Sequence, residues 1–461
     1  MSSTPSPRSW AIFLLVVAAD VLDLLSTTVT NVAAPTIVRD LGASWSLAPW
    51  LGASYTLAMG SLMIVGGRLG DRFGCRRLFL IGLAGFTLCS LADTLAATPL
   101  ELVAFRIGQG VSGGLLIPQG FVLLVRVVPR ESLGMLFGLF GPLLAVSSIS
   151  GPVVAGLLIE ADPFGLSWRS VFLLNVLLGV LMLAAALRVI PPFRGDESIR
   201  IRPGAAFTLM AGLGLLLAGL VDGGTSAWTA RALACTIVGA VALAVFGWQQ
   251  ARTGRPLLER SLFGNRGFVA GLLFGALFFG TVTGVMYATA IYLQQRLGLT
   301  PFHTAVVTAP VSVGIIATSF TVRGRIASHG RAVVATGVLL FAAGVVGMTV
   351  VIGAVRQPVP LIAAPLFVAG LGMGCCFGAV FAVALGDVNS AQAGSAGGVL
   401  NAVQQIVNAA GSAIVSTVYL ATVTPGVPSS GVLPCLLLGL AVTAACATSI
   451  PLLPPRGAPA H

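Results

Sequence analysis

A chain of 461 residues that is 56% hydrophobic and only 8% charged, with a mean hydropathy of +1.00, is too apolar for a soluble globular protein. Its formal charge of +11 comes from 25 arginines without a single lysine, which excludes the phosphate-binding P-loop and the Schiff base, and with them transport driven directly by ATP in this chain. Seven cysteines lie mostly inside apolar runs, and Cys375 and Cys376 are adjacent rather than spaced as a redox or metal pair, so no disulfide framework is expected.

In chain order, apolar runs fall at 10–33, 46–66, 78–96, 100–125, 135–159, 168–190, 204–222, 230–250, 267–293, 302–321, 332–353, 359–386, 396–421 and 431–453, which predicts fourteen transmembrane helices. At about 20 residues per crossing, the connections are left too short for a separate soluble domain of about 50 residues. The first run holds Asp20 and Asp23 and has no small-residue cleavage site, so it reads as a retained helix rather than a signal peptide. With an even number of spans both termini share a side. On that side the loops and tails hold nineteen arginines, while the opposite side holds Arg39, Arg169, Arg231, Arg296 and Arg356. The positive-inside rule then puts both termini in the cytoplasm of a multi-pass cell-membrane protein, and accounts for the pI of 10.3 without nucleic acid. Trp45, Trp50, Trp168 and Trp228 fall near outer helix ends, where an aromatic belt is expected.

A faint internal repeat divides the chain. Gly67-Arg68-Leu69-Gly70-Asp71-Arg72-Phe73-Gly74 follows the second span, and a degenerate copy, Gly324 to Arg331, follows the tenth. This predicts an N-terminal six-helix bundle at 1–195, two inserted linker helices at 196–258 and a C-terminal six-helix bundle at 259–461.

The polar residues inside the spans carry the chemistry. Counted from Trp10 at ~1.5 Å per residue, Asp20 and Asp23 lie roughly 15–20 Å deep, near the bilayer midplane. Thr27, Thr30 and Asn31 follow at helical spacing, which places all five on one face, toward protein or a wet cavity. A carboxyl out of water favours its neutral form, so either aspartate can take up and release a proton; permanent hydrogen bonding to neighbouring helices is the alternative. Arg106, with Gln109 on the same face, is the arginine placed within a span; it needs a carboxylate, a helix end or an anionic substrate, and Asp20 and Asp23 are its candidate acids. Gly151, Pro152 and Gly156 make the fifth span kinkable and closely packable, as in many membrane helices. Asn401, Gln404, Gln405 and Asn408 form a polar stripe on the thirteenth span, either lining a cavity or joining helices. In the loop after the second span, Gly67, Gly70 and Gly74 permit a tight turn, while Asp71, Arg72 and Arg76 can form a charge latch with arginines or with a neighbouring helix N-terminus; a basic loop that only sets topology is the bland reading. His303, His329 and His461 are scattered without metal-ligand spacing, and no nucleophile elbow is present, so neither an enzyme site nor a metal site is expected.

The stretch GGRLGDRFGCRR (66–77) resembles the loop 2–3 signature of the major facilitator superfamily. DLLSTTVTNVAAP (23–35), RIGQGVSGG (106–114) with Pro118, SGPVVAG (150–156), WRSVFLLNV (168–176), the Gln294-Gln295 region and GSAGGVLNAVQQ (394–405) extend the likeness to the fourteen-helix drug:proton antiporters of that superfamily. The chain departs from the pattern at several places. Ser26 stands where the relatives carry the helix-one carboxylate, with Asp23 one turn earlier; Cys75 follows Gly74 in place of a basic residue; Ala155 replaces a glycine and Ser328 an acid.

The resemblance implies an all-α membrane protein of the major facilitator fold that exports amphipathic or hydrophobic compounds by alternating access, driven by the proton gradient without a bound cofactor. It implies proton coupling at Asp23, Asp20 and Arg106, a substrate cavity with Ser26, Thr27, Thr30, Asn31, Gln109, Asn401, Gln404 and Gln405, and an antiport role for the Gly151-Pro152-Gly156 helix. Its partners would be a small molecule, protons and membrane lipids, with the protein acting as a monomer. A nutrient or lipid importer on the same fold is the alternative, and a membrane sensor a more distant one, since no soluble output domain is present.

Overall fold

The computed structural model describes residues 6–43, 47–128, 154–196, 198–199, 202–225, 228–253, 260–322, 325–354, 359–386, 388, 393–424 and 430–454. The principal elements are α1 (Pro7–Asp40), α2 (Leu47–Phe73), α3 (Cys75–Leu95), α4 (Pro99–Val127), α5 (154–161), α6 (Arg169–Val189), α7 (Pro203–Thr225), α8 (Ala230–Arg252), α9 (Arg266–Ile291), α10 (Pro301–Val322), α11 (Ile326–Ala354), α12 (Ala363–Gly386), α13 (Ala393–Thr422) and α14 (Val432–Ser449). Among the described residues, ten of these helices are long and apolar enough to cross a membrane. α2 and α13, of 27 and 30 residues, are as long but carry the charged and amide positions noted above. The fifth expected span, 135–159, lies largely outside the described residues.

Helix starts follow local chemistry. Ser6 caps α1 by accepting from the Ser9 amide at 3.1 Å, with Pro7 in the first turn where its missing donor costs nothing. Thr98 and Glu101 form a capping box ahead of α4, and Asn265 accepts from the Phe268 amide at the start of α9. Gly74 joins α2 to α3 at φ +92°, a conformation that disfavours a side chain, and a Cβ there would also collide with the Phe193 carbonyl.

In the first half of the chain, α4 packs on α1, α2 and α3, and α6 packs on α1 and α3. In the second half, α12 packs on α9, α10 and α11, while α9 and α11 both rest on α14. Each half has its own apolar core: Phe13, Tyr55, Phe79 and Phe86 in one, Phe274, Phe278, Phe341 and Met348 in the other. The two are joined chiefly through α13, which lies against α2 and α4. α7 and α8 pair with each other, and α7 covers the outside of the α2–α13 seam, where Leu209 and Leu213 meet Leu62, Val65 and Val399.

One kind of contact recurs in the two halves. Arg76, at the start of α3, donates to the Leu187 carbonyl near the end of α6 at 2.9 Å. Arg331, near the start of α11, donates to the Leu453 and Pro451 carbonyls beyond α14 at 2.9 and 3.0 Å. In both halves a cation thus satisfies the open carbonyls of the last helix. One expectation is corrected: Trp168 is fully buried rather than interfacial. Its ring packs among Ala33, Ile37, Leu51 and Leu102, while its indole donates to Asp40 at 2.9 Å, a carboxylate at the surface that also accepts from Arg169 at 2.7 Å.

Candidate functional site

α1, α2, α3 and α4 bring one buried polar cluster together. Gly110 on α4 lets the backbones of α2 and α4 meet, because a Cβ there would collide with the Tyr55 carbonyl. The close approach sets the Arg106 guanidinium over the Tyr55 ring, 4.6 Å from its centre. Arg106 is fully buried. It donates to the Leu51 carbonyl at 3.0 Å, to Ser26 Oγ at 2.7 Å and to Gln109 Oε1 at 2.5 Å. Gln109 in turn accepts from Ser26 at 3.1 Å and donates to Ser90 on α3 at 2.7 Å. Tyr55 donates its hydroxyl to Asp23. No carboxylate of a described residue lies within ion-pair distance of Arg106, so its charge is held by neutral dipoles and a π face.

Asp23 and Asp20 sit where this cluster meets a central cavity of about 670 Å³ between the two halves. Its wall is amphipathic. Met59, Met63, Phe121, Phe279, Met286, Met373, Phe377 and Phe381 give it polarizable apolar surface, and Asn401, Gln404, Gln405 and Asn408 on α13 give it amides. Its floor is the stacked pair Phe121–Phe381, with ring centres 5.6 Å apart, which joins α4 to α12. From there it runs toward Ala290 and Thr304, near the opposite ends of α9 and α10.

Below the floor α2 meets the first turn of α13. Asp71 accepts from Ser395 Oγ at 3.2 Å and lies 3.9 Å from Arg68, all three side chains being buried. Gly67 and Gly70 are buried in the same wall, and at Gly70 a side chain would collide with Gln119. Arg72 lies over Phe73, 5.1 Å from its ring centre, and Arg76 reaches α6 as described.

The other expected site residues are placed differently. Ser26 and Gln109, read as cavity residues, lie behind its wall at 1% and 0% exposure, because the buried guanidinium takes up their polar atoms. Thr27 donates to the Asp23 carbonyl at 3.0 Å and faces a second cavity of about 260 Å³ among α1, α2, α7, α9 and α13 rather than the central one, so the predicted single polar face of α1 divides between the two. The side chains of Thr30 and Asn31, and all of Gly151 and Pro152, lie outside the described residues. Gly156, expected at a close helix contact, has no described atom within 4 Å of a built Cβ. Gln294 and Gln295 are exposed, away from both cavities.

Sequence reasoning missed Tyr55, Ser90, Asp93 and Ser395. Tyr55 and Ser90 are common residues in apolar runs and carried no signal. Asp93 falls close to the end of its run and so resembles an interfacial residue, yet it is fully buried. Only the Ser395–Asp71 contact singles out Ser395.

The family model of the Major Facilitator Superfamily matches residues 16–412. A probable actinorhodin transporter of Streptomyces coelicolor is 38% identical over 426 residues, which cover 90% of this chain and 73% of that protein. The methylenomycin A resistance protein of the same species is 31% identical over 405 residues, covering 87% of this chain and 84% of that protein. The crystal structure of the human organic anion transporter MFSD10 matches with a TM-score of 0.67 at 15% identity, covering 96% of this chain and all of the other, a likeness of fold alone.

Proposed function

This chain belongs to the Major Facilitator Superfamily of membrane transporters, and from that premise we propose that it is a proton-coupled exporter of amphipathic or hydrophobic compounds, antibiotics among them. The observation that carries the reading is the pair Asp20 and Asp23 on the wall of a large amphipathic cavity, with the buried Arg106 cluster directly behind it. Exchange of a proton at these carboxylates for a substrate among the Phe, Met and amide side chains would couple the two movements. The names of the relatives support export of small antibiotics; the cavity supports a ligand with flat apolar surface and hydrogen-bonding groups.

In this reading the chain has fourteen spans, a bundle at 1–195, an inserted pair at 196–258 and a bundle at 259–461. It works as a single chain, needs no bound cofactor, and keeps both termini in the cytoplasm. The Asp71 end is then cytoplasmic and closed, and the cavity faces outward, the state in which a carried compound leaves and protons enter. The test is efflux of a panel of dyes and antibiotics from cells expressing the chain, with and without an uncoupler. Uncoupler-sensitive export is expected; export indifferent to the proton gradient overturns the mechanism.

A further inference from the structure

Asp93 lies on the last turn of α3, fully buried, and neither of its carboxyl oxygens meets a donor among the described residues. Facing it from α4, Arg106 is equally buried, and its second terminal nitrogen, Nη2, meets no acceptor among them. A hydrogen-bonded chain runs from Arg106 to the helix of Asp93 without reaching its carboxyl. Ser90, one turn before Asp93, is bonded to Gln109 at 2.7 Å, and Gln109 accepts from Arg106 at 2.5 Å. An unsatisfied acid and an unsatisfied edge of a guanidinium therefore flank one hydrogen-bonded link, with no pair formed between them.

The other charges around Asp93 are committed elsewhere. On α2 the phenol of Tyr55 bonds Asp23, while Arg68, Asp71 and Arg72 lie at the opposite end. On α6, Arg169 holds Asp40 and the Ala96 carbonyl, and Arg188 is on the last turn at the far end. On α4, Glu101 caps its own helix. On α3 itself Cys89 lies one turn back, and it is a thiol. Arg106 is the buried cation on the helix that packs against α3 here. An ionised carboxylate so placed would be stripped of hydrogen bonds at high cost, and the geometry is that of a neutral, protonated acid.

We propose that Asp93 is a further proton-carrying residue of the transport cycle and the alternate partner of Arg106. In the described state Arg106 is anchored to Ser26 on α1 and to Leu51 on α2 while Asp93 holds a proton. When α1 moves against α4, as alternating access requires, the Ser26 anchor is lost and the free edge of the guanidinium turns to α3. The O–H bond of Asp93 breaks, its proton passes to solvent water as the helices move apart, and the carboxylate pairs with Arg106. The pair's charge falls from +1 to zero. Reprotonation of Asp93 releases Arg106 to α1 and resets the cycle. The inference rests on the proton-coupled reading above, and adds a proton site that faces away from the substrate wall.

The experiment is an infrared titration of the purified full-length protein, following the carbonyl band of protonated carboxyls from acidic to alkaline pH. Asp93→Asn should remove a band component that the double variant Asp20→Asn/Asp23→Asn retains, and Asp93→Glu should restore it at a shifted frequency. Arg106→Gln removes the counter-cation, so the same component should hold its proton more than tenfold more tightly. A band unchanged by Asp93→Asn, or a titration unchanged by Arg106→Gln, overturns the proposal. Absence of gradient-driven efflux in the wild type would instead overturn the transport reading, while the infrared result still judges Asp93 by itself.

Discussion

Removing Asp71 should open the α2–α13 seam. Its carboxylate accepts from Ser395 at 3.2 Å in a buried setting, on the first turn of α13. A hydrogen bond to a charged acceptor contributes about 1.5–3 kcal/mol, and the 3.2 Å separation argues for about 1.5. The positive end of α13 adds about 0.5 kcal/mol, while Arg68 shares α2 with Asp71, so their 3.9 Å ion pair does not depend on closure. About 2 kcal/mol is thus present only when the two halves are closed at this end. Asp71→Ala should raise the ratio of open to closed conformers there by about thirtyfold; Asp71→Asn, which keeps a neutral acceptor and loses about 1 kcal/mol, by about fivefold. Distance distributions between spin labels near the Asp71 end of α2 and the start of α13 report the populations directly. Ser395→Ala should shift them the same way, and the double variant should add almost nothing to Asp71→Ala. Unchanged distributions in Asp71→Ala, or effects of the two substitutions that simply add, would refute this account of the seam.

Asp23→Asn mimics the protonated acid, so it should keep substrate binding, abolish gradient-driven efflux and remove the pH dependence of binding; binding and efflux measured across pH decide it, with Asp20→Asn expected to have the smaller effect and the opposite order reassigning the proton to Asp20. At the other end of α1, the Trp168 hydrogen bond and Arg169 hold the Asp40 carboxyl below its ordinary value of 3.8. The stability this contributes is present above 3.8 and is lost as pH falls through the lowered value. At 44% side-chain exposure it amounts to no more than about 1 kcal/mol, so Asp40→Asn should lower thermal stability slightly at neutral pH, with the difference from wild type closing in strong acid. A reporter fused after His461 should be cytoplasmic and one inserted at Gly223 external, where a cytoplasmic signal would remove a span from the count.

The membrane-spanning architecture was legible because it rests on local quantities. Apolar runs of about 20 residues are visible without knowing their neighbours, and Asp20 and Asp23 stand out since a carboxylate is rare at that depth. Their shared face follows from helical spacing along one element, while the cavity they meet is set by the helices around it. The motif at 66–77 marked Asp71 as an acid in search of a partner, but that partner, Ser395, is 324 positions away and an ordinary serine in an apolar run. Only packing of α2 on α13 selects it. Ser26 and Gln109 show the same limit from the other side: the family resemblance put them in the cavity, and the need of one buried guanidinium for acceptors drew them behind its wall. Trp168 and Asp93 sit at helix ends, where sequence implies an interface, and both are fully buried by the helices packed around them. Periodicity and composition act along a single helix, and these determine that the chain is built of membrane-spanning helices and which of them carry acids. Which polar atoms meet is decided between helices, at distances of about 3 Å that depend on where glycines such as Gly110 allow two backbones to touch, and that belongs to the tertiary structure alone.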